Sequence, residues 1–366
     1  MHILELCLSP SYGGLEIHFV EFSRWLARTT DVSVSVAVRS TSLIDSKLPE
    51  SEFLQKLPLS QKVTFLLKAI RLSKFIIEHQ IDLIHVHAKA DLPLVAVTKA
   101  ISKKNFYFVF TRQMSLPAKK FDPYHQFIYT KLDKIIVITE KLKKQALNNL
   151  PVDHTKIERI YIGVRRPPPL SINEKRKIAD ELSFGNNFVI GNLSRIEHQK
   201  GQHIFLQALH ILQQEGYSTR GIVMGKIMDE DYKRDLDHYI SEKNLNVTIF
   251  DHSDDVFQIM RCLDALVLTT RGETFGMTLV EGMFCEIAVL GSDSGGVLEI
   301  IDHEKTGLLF KTFDPYSLAA NLKIVIDNQS FRNRLAQTGF RMAVERFDLD
   351  QQFTKFKNSL LNLTLQ

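Results

Sequence analysis

Only three cysteines, Cys7, Cys262 and Cys285, occur in 366 residues. They are scattered and never in C-x-x-C spacing, which excludes both a disulfide framework and a zinc ribbon. No apolar run approaches the roughly 18 residues that a membrane span needs. The start, Met-His-Ile-Leu-Glu-Leu-Cys-Leu-Ser-Pro, has no basic leader and is interrupted by Glu5, so it reads as a first strand and not a signal peptide. These absences lead to the expectation of a cytoplasmic protein. G-x-G-x-x-G spacing is missing too, which argues against a dinucleotide site. Repeats and low-complexity tracts are absent, and nucleic acid is not an expected partner. What remains is the composition of an ordinary globular chain, 44% hydrophobic and 24% charged, long enough for two domains that each bury a core.

Net charge is only +4, yet it is unevenly placed. Residues 1–166 hold 25 Lys/Arg against 15 Asp/Glu, and the remainder 21 against 27. The excess gathers around Lys103, Lys104, Lys119, Lys120, Lys131, Lys134, Lys141, Lys143 and Lys144. Such a field favours an anionic partner, a lipid headgroup surface or a phosphorylated glycan; a set of solvated lysine faces would read the same way. The segment Leu59 to His79 sets Lys62, Lys68, Arg71 and Lys74 beside Phe65, Leu66, Ile70 and Phe75. Its helical period suits either a membrane surface or the cover of a sheet.

Short apolar runs alternate with segments of helical period along nearly the whole chain, the pattern of parallel sheets covered by helices. Strands are expected near Ile3–Cys7, Val32–Val38, Leu83–Val86, Phe106–Thr111, Ile135–Thr139 and Ile157–Ile162. A second set is expected near Phe188–Leu193, Thr219–Met224, Val247–Phe250, Ala265–Thr269, Ala288–Gly291 and Gly307–Phe310. Between the sets lies Arg165-Arg166-Pro167-Pro168-Pro169, whose prolines exclude both helix and central strand. The linker is placed there, giving an α/β domain over residues 1–166, another over 167–345, and a terminal segment over 346–366 expected to be a helix.

Chemistry concentrates at strand-to-helix junctions. Gly13-Gly14 follow the first strand, where absent side chains let a phosphate approach backbone and helix N-terminus, although any tight turn would use the same pair. Arg195 and Lys200 set two cations five residues apart at the carboxyl edge of a sheet, suited to a diphosphate leaving group or to an ordinary basic loop. Arg271 to Glu281 carries two glutamates eight positions apart around a Gly-containing helix entry. Thr278-x-x-Glu281 fits a capping box, which needs no ligand. Glu273 lies outside that helix, so its position is to be explained by solvent or by a substrate. Ser294-Gly295-Gly296 forms a second Gly-rich helix entry with the same potential for anions. His85 and His87 point to one face of a strand, but spacing supplies no third metal ligand. Asp348-Leu349-Asp350 and Asp229-Glu230-Asp231 read as acidic helix starts and not as metal motifs.

Taken in order, Gly13-Gly14-Leu15-Glu16, Asp82 to His87, Arg195 with Lys200-Gly201, Asp264, Glu273-Thr274-Phe275-Gly276, Glu281-Gly282 and Gly295-Gly296 resemble the retaining glycosyltransferases of the group 1 type. Among these, bacterial enzymes that build lipopolysaccharide cores and other envelope glycans look most similar. The resemblance implies the GT-B fold, two Rossmann-like doubly wound parallel-sheet domains facing a cleft. It implies that the second domain binds a nucleotide-diphosphate sugar, that the first binds a glycan or glycolipid acceptor, and that the terminal helix over 346–366 crosses back to the first domain. Glu281 would hold the ribose hydroxyls, and Glu273 would face the transferred sugar with backbone amides around Phe275, Gly276, Met277 and Thr278. Arg195 and Lys200 would clamp the diphosphate, with Gly13 and Gly14 approaching it from the other domain. Cationic clamping replaces a metal, so neither an ion nor another cofactor is expected. The implied location is cytoplasmic, including the cytoplasmic face of the inner membrane, with peripheral contact to anionic lipid.

Three departures stand out. Gln113 occupies the place where many relatives carry a His; an amide donates a hydrogen bond but cannot carry a proton. Ile162-Gly163 replaces a common Asn-Gly turn, and Cys285-Glu286 replaces a small residue and Gly. Two other readings share the fold or the motifs: a nucleotide-sugar 2-epimerase-like isomerase, and a catalytically silent glycosyltransferase-like partner, which Gln113 suggests.

Overall fold

Runs of three to seven residues, most of them rich in Val, Ile and Leu, cannot leave their backbone unpaired in a core, and here they pair into two all-parallel sheets. The structure, a computed structural model, describes residues 1–29, 31–48, 54–60, 62–181, 184–185, 187–251 and 256–363. The chain divides into unit 1, Met1–Ile162 with Asp350–Gln366, and unit 2, Gly163–Leu349. Val164 is tied to unit 2 by donating its N–H to Phe347 at 2.8 Å, and the proline stretch by Arg261, which donates to the Pro167 carbonyl at 2.8 Å.

Unit 1 contains β1 (His2–Cys7), β2 (Ser33–Arg39), β3 (Leu54–Leu59), β4 (Leu83–Val86), β5 (Tyr107–Arg112), β6 (Lys134–Val137) and β7 (Ile157–Arg159), in the order β3-β2-β1-β4-β5-β6-β7. The sequence reading did not include β3. Its Leu-Gln-Lys-Leu-Pro-Leu carries Pro58, which a strand tolerates at a sheet edge, where β3 lies. The helix Gly14–Ala27 buries Phe19, Phe22 and Leu26 over the sheet. The last helix, Leu349–Leu361, closes the same side with Phe353 and Phe356, both fully buried. Their rings meet Phe22 at 5.1 and 5.6 Å, and Trp25 Nε1 donates to Asp350 at 2.7 Å. Each buried Phe stabilises the unit by roughly 2–3 kcal/mol.

Unit 2 contains β8 (Phe188–Leu193), β9 (Thr219–Met224), β10 (Val247–Phe250), β11 (Ala265–Leu268), β12 (Ala288–Ser292) and β13 (Leu308–Phe310), in the order β10-β9-β8-β11-β12-β13. Ile190, Phe205, Val223, Val267, Leu290 and Phe310 fill its core. The helix Met277–Phe284 ends in a Schellman arrangement: Ile287 N–H reaches the Gly282 carbonyl and Glu286 N–H that of Met283. That ending needs a left-handed residue, and Glu286 takes it at φ 58°. Among the described residues no helix is long and apolar enough to cross a membrane.

Candidate functional site

In each sheet the strand order reverses once, between β1 and β4 in unit 1 and between β8 and β11 in unit 2. The crevice beyond the carboxyl ends at such a point is where open α/β sheets take ligands. In unit 2, β8 leads into Ser194-Arg195 and β11 into Thr269 to Glu273. Buried Asn192 donates from Nδ2 to Thr269 Oγ1 at 2.9 Å, and that hydroxyl donates to the Lys200 carbonyl at 2.8 Å. Lys200 is thereby held so that its ammonium donates to Glu273 Oε2 at 2.7 Å, with the two side chains only 16% and 22% exposed. This corrects the view of Glu273 as a carboxylate to be explained by solvent or substrate alone. Its partner stands 73 residues earlier and is brought in by the strand reversal. Arg195 is different: its side chain is 57% exposed and meets Glu197 at 2.9 Å.

Gly276 is the N-cap of Met277–Phe284, in the left-handed region at φ 101°. The capping-box reading is corrected accordingly, since Thr278 and Glu281 become the second and fifth helical residues and no side chain caps this end. Amides of a first helical turn lack helical partners, so this entry keeps its capacity for an anion. The Phe275 ring does not serve a ligand: it is 2% exposed and packs edge-on against Phe347 at 5.4 Å. The second Gly-rich entry opens only the single turn Val297–Ile300. Its glycines let the backbone close under Glu273: a Cβ on Gly295, at φ 65°, would lie 2.2 Å from the Glu273 carbonyl, to which Gly296 N–H donates at 2.9 Å. Ser294 and Ser292 hydroxyls donate to the carbonyls of Arg271 and Thr270, each at 2.7 Å, so residues 270–274 are fixed from below. A cavity of about 530 Å³ lies at the opposite, amino-terminal edge of this sheet, lined by Lys175, Arg261, Asp264, Glu286 and Arg332 among others.

In unit 1 the turn after β1 is tied down by Glu16. Its carboxylate accepts from Gly13 N–H at 2.9 Å and from the Ser9 hydroxyl at 2.5 Å, so the Gly13 amide is already engaged. Across the reversal, buried Asp91 accepts from Leu8 N–H at 2.8 Å, and burial pushes its carboxyl up to about 7. Gln113 follows β5; it is 8% exposed, and its Nε2 has no hydrogen-bond partner. The neighbouring Arg112 donates to the Ser115 carbonyl at 2.8 Å, and burial lowers its pKa.

The register of β1 on β4 sets Glu5 directly opposite His85. His85 Nδ1 lies 3.0 Å from Glu5 Oε1, and His87 Nε2 2.5 Å from Oε2. His85 Nε2 is also 2.7 Å from Thr111 Oγ1. Burial opposes the charge on Glu5, but the two imidazoles win and hold it down to about 2, while burial lowers His87 to about 4. Spacing within one strand gave the two histidines; Glu5 joins them only through the pairing of distant strands.

Residues 173–342 match the family model for glycosyl transferases group 1, and residues 12–166 that for glycosyltransferase family 4. The chain is 24% identical over 217 residues to the capsular polysaccharide biosynthesis glycosyltransferase CapM of Staphylococcus aureus. That match covers 58% of this chain and 57% of CapM, little more than half of the relative. The lipopolysaccharide core biosynthesis mannosyltransferase LpcC of Rhizobium leguminosarum is 21% identical over 273 residues, 73% of this chain and 74% of LpcC. HepE of Anabaena, crystallised with UDP-glucose, has a TM-score of 0.85 at 21% identity, covering 99% of this chain and 100% of HepE. The fold is GT-B, and each half of the chain matches a glycosyltransferase family model, the second half that of group 1.

Proposed function

We propose that the chain is a retaining glycosyltransferase that moves a sugar from a nucleotide-diphosphate sugar to a lipopolysaccharide or other envelope glycan, without a metal ion at the leaving group. The observation that carries this reading is the shielded Lys200–Glu273 pair beside the Gly276 helix entry, at the strand reversal of unit 2. An incoming diphosphate competes with Glu273 for the Lys200 ammonium. Its charge then rests on Lys200, on Arg195, which is exposed enough to swing, and on the amides of Met277 and Thr278. Glu273, released, accepts hydroxyls of the transferred sugar, and Glu281 those of the ribose. As the bond from the anomeric carbon to phosphate breaks, the acceptor oxygen bonds that carbon on the same face and its proton passes to the leaving phosphate. Gln113 donates from its unpartnered amide and leaves proton transfer to the phosphate.

The acceptor side of the proposal rests on unit 1, which carries the basic excess. At the start of the helix Phe65–Glu78 three consecutive apolar residues, Phe65, Leu66 and Leu67, are 49%, 58% and 52% exposed, next to Lys68, Arg71 and Lys74. Such a surface supports peripheral docking on anionic lipid at the cytoplasmic face, where a lipid-linked acceptor resides. Sedimentation with anionic vesicles at low salt tests this; protein left in the supernatant would make the basic face a merely solvated one.

The function itself is tested by a thermal-shift panel of UDP, GDP, ADP and their sugars, followed by transfer to envelope glycan extracts. A donor at 100 times its Kd stabilises by about 2.7 kcal/mol. HepE supports trying UDP-glucose first. Shift and transfer together are expected, with Glu273→Ala abolishing transfer in a folded protein. A sugar altered without acceptor would point instead to an isomerase, binding without turnover to a silent partner, and no shift at all would overturn the reading.

A further inference from the structure

We propose that Glu5, His18, His85 and His87 bind one zinc ion as a closed structural site inside unit 1. Three of the ligands are already gathered: one atom each from Glu5, His85 and His87 lies within 4.8 Å of the others, and all three side chains are buried. Hydrogen bonding accounts for Glu5 and His85, but not for the rest of the group. His18, on the helix Gly14–Ala27, is 2% exposed with neither ring nitrogen partnered, and His87 leaves Nδ1 without a partner. A buried imidazole with no partner at either nitrogen is costly in a dry core, and an ion beside His87 would take one nitrogen of His18.

The spacing fits an ion held by Glu5, His85 and His87; His18, outside that 4.8 Å group with its ring 5.8 Å from that of His87, joins by turning one nitrogen inward. Two imidazoles bound at 2.0–2.1 Å to a tetrahedral ion have ring centroids about 5 Å apart. The His85–His87 and His87–His18 centroids are 4.2 and 5.8 Å apart, on either side of that value. Imidazole nitrogen with one carboxylate suits zinc, and four protein ligands leave no open position, so the ion would serve structure rather than catalysis. Thr111 Oγ1 sits on the far nitrogen of His85, the place of an outer partner that orients a metal-bound imidazole. Ligands this deeply buried take up their ion during folding and not afterwards. The ion would join β1, β4 and the helix that begins at Gly14.

Metal analysis of protein expressed in zinc-supplemented medium, without an affinity tag of histidines, tests the proposal. One zinc per chain is expected, with a thermal midpoint that falls by at least about 5 °C after unfolding and refolding in chelator and returns on refolding with zinc. His18→Phe keeps a ring against Phe22, Phe353 and Phe356, so it leaves the fold in place while removing a ligand. It is expected to lose stoichiometric zinc, and Thr111→Val to weaken binding by about 10–100-fold. Cobalt refolded into the wild-type chain is expected to show tetrahedral absorption that the His18 variant lacks. A wild-type chain without stoichiometric metal, whose midpoint ignores both chelator and zinc, would overturn the site. Undiminished zinc in the His18 variant would overturn the four-ligand assignment.

Discussion

Lys200→Met and Glu273→Gln remove the two charges of the shielded pair while roughly keeping its volume, and the four proteins of that cycle separate structural from chemical work. At 2.7 Å, unit charges attract by about 6 kcal/mol at an effective dielectric of 20. Most of that is cancelled by withdrawing both groups from water, so the stability coupling is expected near 1–2 kcal/mol. Catalysis should respond on another scale. If Lys200 neutralises the leaving diphosphate, its loss costs about 10²–10³ in kcat/KM, or roughly 2.7–4 kcal/mol. If Glu273 also meets the sugar, the double variant is slower than Lys200→Met by a further tenfold or so. Urea unfolding of all four proteins gives the first quantity, and initial rates with the nucleotide sugar of largest thermal shift give the second. Rate losses no larger than the stability coupling would make the pair structural only. A double variant no slower than Lys200→Met would mean that Glu273 acts solely through Lys200.

Asp91 ionises near 4 when unfolded and near 7 when buried, so folding holds its proton and wild-type stability falls as pH rises from about 4 to 7. Asp91→Asn is expected to gain on wild type by at most about 4 kcal/mol at pH 8 and to match it at pH 3.5, measured by urea midpoints. Glu286→Gly relieves the left-handed strain at the end of Met277–Phe284 and should raise stability by up to about 1 kcal/mol in calorimetry; a loss would refute the assignment of strain. Glu16→Ala frees the Gly13 amide and should cost about 1 kcal/mol in urea unfolding, with a raised KM for the donor if the Gly13 turn approaches its phosphates.

Strands were legible because buried parallel strands need uninterrupted apolar runs, and two α/β domains followed from their alternation with helices; the GT-B architecture came only with the resemblance to group 1 glycosyltransferases. β3 escaped because Lys56 and Pro58 break its pattern, which only an edge position permits. The site was legible as residue types and not as partnerships. Glu273 and Lys200 are far apart in sequence, and nothing local says that a strand reversal will join them. Glu5 likewise appeared only as an interruption in an apolar strand until the register set it opposite His85. Spacing also misplaced the cap of Met277–Phe284, because a left-handed glycine can start a helix without the Ser or Thr that capping rules seek. The departure at Glu286 was visible as a residue, but its strain needed a backbone angle.

The return of Asp350–Leu361 to unit 1 also sets a timetable for synthesis. Unit 2 is contiguous and can fold once Leu349 has emerged, whereas unit 1 waits for Phe353 and Phe356, made only after all of Gly163–Leu349. At 5–20 residues per second that interval is on the order of 10–40 s. Throughout it, Phe22, Trp25 and His18 stand without their aromatic cover. The nascent first unit is therefore the natural client for a chaperone, and the second unit, begun later, is finished first.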